Sequence, residues 1–314
     1  MVIANLIAPL NILVAFDGSP ASMACALWLS GLPLPRKSKV QLLGVSHPLA
    51  EETAPDRDTF FRAAKNLTDL GIRVDQEVLE GPPAKQIIQY ASQRHCDLIV
   101  MGAIGRRARL GVLLGGVAQE VVEHANQPVL IVRPPASPPR NVILATDGEP
   151  HSLQAAEYLG AFPLPEGCRV TILNVTPPLP DLDSVYRPPS TAIVPNRGAL
   201  LEYAARGEFT SLRELEEHQG EEILKTTLRS LKHTLFGRLP VVKVRTDLRE
   251  GDPSAEIIQY AKEQRSNLIV VGSRGLSQVM GWLLGSVSRR LIHAAPCSVL
   301  VVRGIPPPGR PGNN

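Results

Sequence analysis

Val270–Arg290 reads VVGSRGLSQVMGWLLGSVSRR. It continues an apolar run, Asn267–Val271 with Leu268, Ile269 and Val270, that has the length and composition of a buried strand. Gly272 and Gly275 then break the pattern, and Gly285-Ser286 opens a new helical segment. Glycines at such a place let backbone N–H groups come close to an anion, and a helix start adds unpaired donors and the positive end of the dipole. The hydroxyls of Ser286 and Ser288 add further donors, so the stretch predicts a phosphate-binding loop that also contains Ser273, Arg274 and Val287. The spacing Gly272-x2-Gly275-x9-Gly285-Ser286 has no Lys beside the final serine, as a Walker loop requires, and it is not G-x-G-x-x-G.

Outward from this stretch the chain repeats itself. Gly81–Arg133 aligns with Gly251–Arg303 at an offset of 170 without gaps, with about 22 identities in 53 positions, and IIQYA occurs at Ile87–Ala91 and Ile257–Ala261. NILVAFDGSP from Asn11 matches NVILATDGEP from Asn141 at an offset of 130. The difference of 40 between the offsets is an insertion in the second half, near 177–210, opening with PPLPDLDSVYRPPSTAIVP. Its prolines forbid a continuous helix or central strand. The insertion reads as a mobile surface loop, with a lid or a partner surface as the functional alternative. A helix resumes from about Ser211 to Leu235, where Leu212, Leu215, Ile223, Leu224, Leu228, Leu231 and Leu235 are available to face a sheet.

Each half alternates β-type runs with helical patterns, which predicts an α/β fold with a parallel sheet covered by helices. Strands are expected near 11–16, 40–45, 72–78, 97–101 and 129–133, and near 141–146, 169–175, 241–247, 267–271 and 298–302. The result is two tandem doubly wound domains of five strands each, Rossmann-like in layout, spanning 1–133 and 140–303. The linker 134–139 is proline-rich and stiff by composition, and short enough that the halves must pack closely. The end, 304–314, has nothing to build a core from and reads as a disordered tail. Asp252 is expected to cap a helix that has Pro253 at its first position and Ile257, Ile258 and Ala261 as its apolar stripe.

The glycine spacing, an Asp at the end of a first strand (Asp147 in NVILATDGEP), the terminal strand CSVLVVR and the tandem repeat together resemble the universal stress protein family, in its ATP-binding branch. The resemblance implies strand order 3-2-1-4-5 in each half, ATP with or without Mg²⁺ as cofactor, and pairing through the fifth strand, here Val129–Val132 and Val299–Val302. It gives Asp147, and by the repeat Asp17, a hydrogen bond to the nucleoside, counts Ala145 among the nucleotide-binding residues, and puts a backbone contact to adenine at Val175 and Val45, although a valine there is also simply a strand residue. From the residues alone, each aspartate ends a strand just before a glycine, at the edge where open α/β sheets bind ligands, and each could equally cap the next helix. The first half keeps Gly102, Gly105 and Gly115, but Gly116 and Ala118 stand where the second has Ser286 and Ser288. Two hydroxyls are missing there, and Arg106, Arg107 and Arg109 add positive charge. The two sites are therefore expected to be unequal, the second tighter.

Composition narrows the rest. A net charge of +3 demands no acidic partner, and aromatics at 4% are too sparse for nucleic-acid stacking platforms, so no nucleic acid is expected. The apolar start lacks a basic segment and is interrupted by Asn5, Pro9 and Asn11; it reads as a lead-in to the first strand, and no run reaches the roughly 18 apolar residues of a membrane span. Cys25, Cys96, Cys168 and Cys297 are scattered without C-x-x-C and fit inert thiols in a reducing, cytoplasmic compartment. The 7 histidines form no H-E-x-x-H, no G-x-S-x-G elbow is present, and no S-G-G-x-D-S loop occurs. Catalysis is expected to be absent, or at most a slow hydrolysis of ATP. The chain reads as a tandem, ATP-binding stress-response regulator with an unnamed protein partner, an intrachain pseudo-dimer whose whole chains can also dimerise. The alternatives are a non-nucleotide interaction module on the same fold, or a slow ATPase.

Overall fold

The computed structural model describes residues 8–46, 57–105, 113–177, 212–235, 242–273 and 284–303. The insertion near 177–210 lies outside the described residues apart from Pro177, and so do the tail 304–314, Arg106, Arg107, Arg109, Arg274 and Gly275. The first half runs β1 (Asn11–Ala15), α1 (Pro20–Ser30), β2 (Lys39–Ser46), α2 (Arg57–Thr68), β3 (Arg73–Glu80), α3 (Pro83–Gln93), β4 (Leu98–Gly102), α4 (Gly116–His124) and β5 (Val129–Val132). The second runs β6 (Asn141–Ala145), α5 (Pro150–Ala161), β7 (Arg169–Thr176), α6 (Leu212–Thr234), β8 (Lys243–Glu250), α7 (Pro253–Glu263), β9 (Leu268–Gly272), α8 (Ser286–Ala294) and β10 (Ser298–Val302).

The strands form one 10-stranded sheet ordered β3-β2-β1-β4-β5-β10-β9-β6-β7-β8, so each half has the expected 3-2-1-4-5 order. Pairing is parallel within each half, and β5 meets β10 antiparallel, with Ile131 opposite Val299 and Leu130 opposite Leu300. The expected union of the fifth strands is thus made within one chain. Central strands such as Leu98–Gly102 are almost wholly apolar because helices cover both faces. Ile12, Val14, Leu130 and Leu300 face the layer of α1, α2, α5 and α6, while Leu13, Ile131 and Val299 face α3, α4, α7 and α8. The outer strands β3 and β8 read RVDQEVLE and KVRTDLRE; their charges discourage further edge pairing. α1, α3, α5 and α7 all begin with proline, which needs no donor there. The expected cap of α7 is present, with Asp252 accepting from the Ala255 N–H at 2.8 Å. Leu224 and Leu231 of α6 and Leu235 just past its end are buried, and Leu228 packs beside them.

Two arginines lock the seam. Arg133, just past β5, donates from Nη2 to the carbonyls of Ile292 (2.5 Å) and His293 (3.2 Å), at the end of α8 in the other half. Arg303 does the same in return, donating to the carbonyls of Val122 and Glu123 in α4 at 2.6 Å each. A helix end leaves its last carbonyls without partners and carries the negative end of the dipole, so a guanidinium satisfies both demands. Nη1 of Arg133 also reaches the Leu113 carbonyl in its own half at 2.9 Å. On the opposite face Trp28, Phe162 and Tyr158 pack across the seam, and the Tyr158 hydroxyl donates to the Asp97 carbonyl at 3.2 Å. The linker is pinned by Asn267, which donates to the Pro138 carbonyl (2.7 Å) and accepts from the N–H groups of Arg140 and Asn141.

Two outcomes are expected from this packing. Arg133→Ala should lower the unfolding free energy by about 2–3 kcal/mol, since it removes charged hydrogen bonds to partly buried helix-end carbonyls. Arg73→Ala, which breaks an exposed ion pair with Asp75, should cost under about 1 kcal/mol; denaturant titration of both variants checks the contrast. Asp97 occupies the position of Asn267 in the first half, accepts from the Asn11 N–H at 2.8 Å, and has its carboxyl raised above the usual range by burial. A raised carboxyl favours the fold below the unfolded pKa of about 3.9, and that advantage is lost as pH rises through the folded value. Asp97→Asn should therefore raise the melting temperature at pH 7, with the gain vanishing toward pH 3 in a series of thermal melts.

Candidate functional site

At the C-terminal edge of the second half's strands lies a cavity of about 360 Å³. Ala145, Thr146 and Asp147 form one wall after β6, and Leu173, Val175 and Pro177 a second from β7. Val271 and Gly272 close the end of β9, Gly285, Ser286, Val287, Ser288 and Arg290 come from α8, and Asp252, Pro253, Ser254 and Ile257 come from α7. Of the predicted residues, Ala145, Asp147, Val175, Gly272, Gly285, Ser286, Val287 and Ser288 are brought together here. Ser273 is buried instead, its N–H bonded to the Val302 carbonyl and its own carbonyl to the Gly285 N–H. The α7 side of the cavity was missed. Asp252 reads as a helix cap in the sequence, and only the strand order brings that cap to the same edge as α8.

The aspartates are held by their turns. Asp147 Oδ1 accepts from the Glu149 N–H at 3.1 Å, and Gly148 adopts φ +79, which a glycine takes without strain. Asp17 does the same with the Ser19 N–H at 3.0 Å, and Gly18 has φ +75. Neither aspartate is the helix cap: α1 is capped by Ser19, which accepts from the Ser22 N–H, and the N-cap of α5 is Glu149. Each carboxylate thus uses one oxygen to fix its turn. Thr146 braces the second-half turn from below, bonded to Thr227 of α6 at 2.9 Å and to Ser152 at 3.2 Å, while Asn174 donates to its carbonyl. In the first half Phe16 stands at the place of Thr146 and packs against Phe60 at 5.0 Å between ring centroids, while Ser22 keeps the place of Ser152.

The glycines divide into two roles. A Cβ on Gly272 would lie 2.6 Å from the His151 carbonyl oxygen, and one on Gly102 would lie 2.6 Å from the Ala21 Cβ. The first glycine of each frame is therefore demanded by the close approach of α5 or α1, a correction to its reading as a door for an anion. On Gly105 a Cβ would come 2.8 Å from Asp17 Oδ2, so this glycine lets the loop close over the carboxylate. Gly115 and Gly285 are the N-caps of α4 and α8, and neither first turn has a side-chain cap among the described residues. Val45, at the end of β2, matches Val175 and packs partly buried against the core.

Ser288 is the second correction. Its hydroxyl donates to the Gly272 carbonyl at 2.7 Å in a buried position, tying α8 to the end of β9. Its proton is not offered to a ligand, and the buried Ala118 of the first half lacks only a structural tie. Ser286, exposed at the first position of α8, is the hydroxyl that remains. Asp252, also on the cavity, has its carboxyl held below the usual range by the Ala255 N–H and the Ser254 hydroxyl, and Arg290 lies 3.1 Å from it. Ser288→Ala is expected to lower the unfolding free energy by about 1–2 kcal/mol, because a buried carbonyl loses its donor. Ser286→Ala should change it by less than about 0.5 kcal/mol. Denaturant titration of the two variants checks this, and equal losses would contradict the division of roles.

The model of the universal stress protein family matches residues 10–133 and again 139–303. A universal stress protein of Mycobacterium tuberculosis is 26% identical over an alignment of 330 residues, which covers 94% of this chain and 95% of that one. The crystal structure of a universal stress protein from Archaeoglobus fulgidus shares the fold at 18% identity with a TM-score of 0.58, covering 93% of this chain and 98% of its own. A family protein from Arabidopsis thaliana, solved with AMP bound, aligns over 52% of this chain and 92% of its own, at 19% identity and a TM-score of 0.32. With both halves matched by one family model and the tandem arrangement shared across nearly the whole length, the chain belongs to the universal stress protein family.

Proposed function

We propose that the second half binds an adenine nucleotide, with ATP as the physiological ligand, and that the protein acts as a nucleotide-responsive stress regulator on a protein partner. The observation that carries this reading is the convergence on one cavity of an aspartate with a turn-fixed carboxylate, a serine with no partner among the described residues, and the start of α8, which has no side-chain cap among them. A volume of about 360 Å³ lies in the range of small-molecule sites, which run from roughly 300 to 1,000 Å³. Leu173, Val175 and Ile257 offer an apolar surface for the base, Asp147 an acceptor for ribose hydroxyls, and Ser286 with the α8 N–H groups a cradle for phosphate. Mg²⁺ keeps several waters and binds through one or two carboxylates plus substrate phosphates. Such an ion would arrive with the nucleotide, held chiefly by its phosphates and waters.

Titration calorimetry with ATP tests the reading. Asp147→Ala and Ser286→Ala are each expected to weaken the tighter binding event by about 10- to 100-fold, the effect of losing a charged hydrogen bond. Asp17→Ala should leave that event in place. If Asp17→Ala abolishes it and Asp147→Ala does not, the principal site is in the first half. No uptake of ATP by the unaltered protein would return the fold to the reading of a non-nucleotide interaction module.

A further inference from the structure

The geometry points to Arg290 as the residue that makes the second-half cavity select its ligand by phosphate charge, and to its replacement by Glu120 as what denies the first half that selectivity. The inference rests on the nucleotide reading above. Ser286 and Arg290 lie four residues apart on α8, on one side of the helix, and both line the cavity. The guanidinium Nη1 is held by Asp252, at 3.1 Å from Oδ1 and 3.3 Å from Oδ2. Asp252 does not need it: Oδ1 already accepts the Ala255 N–H and the Ser254 hydroxyl at 2.8 Å each.

The pair is a resting contact that a ligand can displace. The side chains are 63% and 52% exposed, so water and salt screen their attraction. A phosphate seated at the start of α8 carries more charge than a carboxylate and offers the guanidinium a bidentate partner. When Arg290 turns toward it, Asp252 keeps its two other bonds and α7 keeps its cap. Each further phosphate on the ligand adds charge within reach of this side chain, whereas the base and ribose, which would lie against β6 and β7, gain nothing from it.

At the offset of 170, the first half replaces every part of this device. Gly116 stands for Ser286, Pro82 for Asp252 and Glu120 for Arg290. The sign of the charge one turn into the helix is inverted, and with it the response to an anion. Space is not the reason, because a Cβ built on Gly116 meets nothing within 4 Å.

The test is titration of the full chain with adenosine, AMP, ADP and ATP, for wild type, Arg290→Lys, Arg290→Gln and Arg290→Glu. Wild type should bind more tightly with each added phosphate. Arg290→Glu should weaken ATP by about 10- to 100-fold and adenosine by less than about 3-fold, flattening the series; Arg290→Gln should fall between, and Arg290→Lys should keep most of the slope. Equal losses for adenosine and ATP would mean that Arg290 acts through the fold, and an unchanged slope would mean that it touches no phosphate; either overturns the assignment while the nucleotide reading stands. A wild-type chain that binds none of the four overturns the nucleotide reading and the assignment together.

Discussion

The antiparallel contact between β5 and β10 is the constraint on which the remaining architecture depends. Each half alone is a five-stranded parallel sheet with an apolar fifth strand at its edge, and an exposed edge of that kind invites uncontrolled pairing. Joining the two edges within one chain removes both. It also puts the ends of α4 and α8 within reach of the arginine that closes the opposite half, so that Arg133 and Arg303 can each cap the other half's helix. The helices that begin at the two glycine frames are thereby fixed at their far ends by the neighbouring half. A short linker held by Asn267 is compatible with this seam because the two fifth strands lie side by side.

Duplication has preserved the frame and let the chemistry diverge. Both halves keep the aspartate turn, the strand order and an uncapped helix after the last glycine. Around that frame, Thr146, Thr227 and Asn174 add hydrogen bonds to the corner in the second half, while the first has Phe16 against Phe60 there and keeps Ser22 at the place of Ser152. A polar corner under the Asp147 turn fixes it by directional bonds; an aromatic one acts by packing. The differences at Gly116, Ala118 and Glu120 are therefore part of a wider change of character and not isolated losses.

Much of the fold was legible in the sequence. The apolar runs gave strands close to their observed limits because buried parallel strands must be apolar on both faces, and the repeat gave the two-part organisation because equal patterns fold alike. The caps at Asp252 and Pro253 were readable for the same local reason: they act within one turn of the chain. Of the glycine frame and the two aspartates, Gly272, Gly285 and Asp147 line the second-half cavity.

What each of those residues does was decided by tertiary contacts. Gly272 and Gly102 are glycine because a helix from elsewhere in the chain lies against them, and Ser288 turns its hydroxyl to Gly272 because the fold buries both. A spacing rule cannot separate a glycine that admits an anion from one that admits a backbone, nor a serine facing a ligand from one facing a carbonyl. The pairing of Arg290 with Asp252 is similarly invisible in one dimension, since the two lie on different helices that meet only when β8 and β9 take their places in the sheet. Sequence alone determined the elements and their repeat, because those follow from local periodicity and turn chemistry. The tertiary structure alone decided which donors and charges line the second-half cavity, because that depends on what else is packed against them.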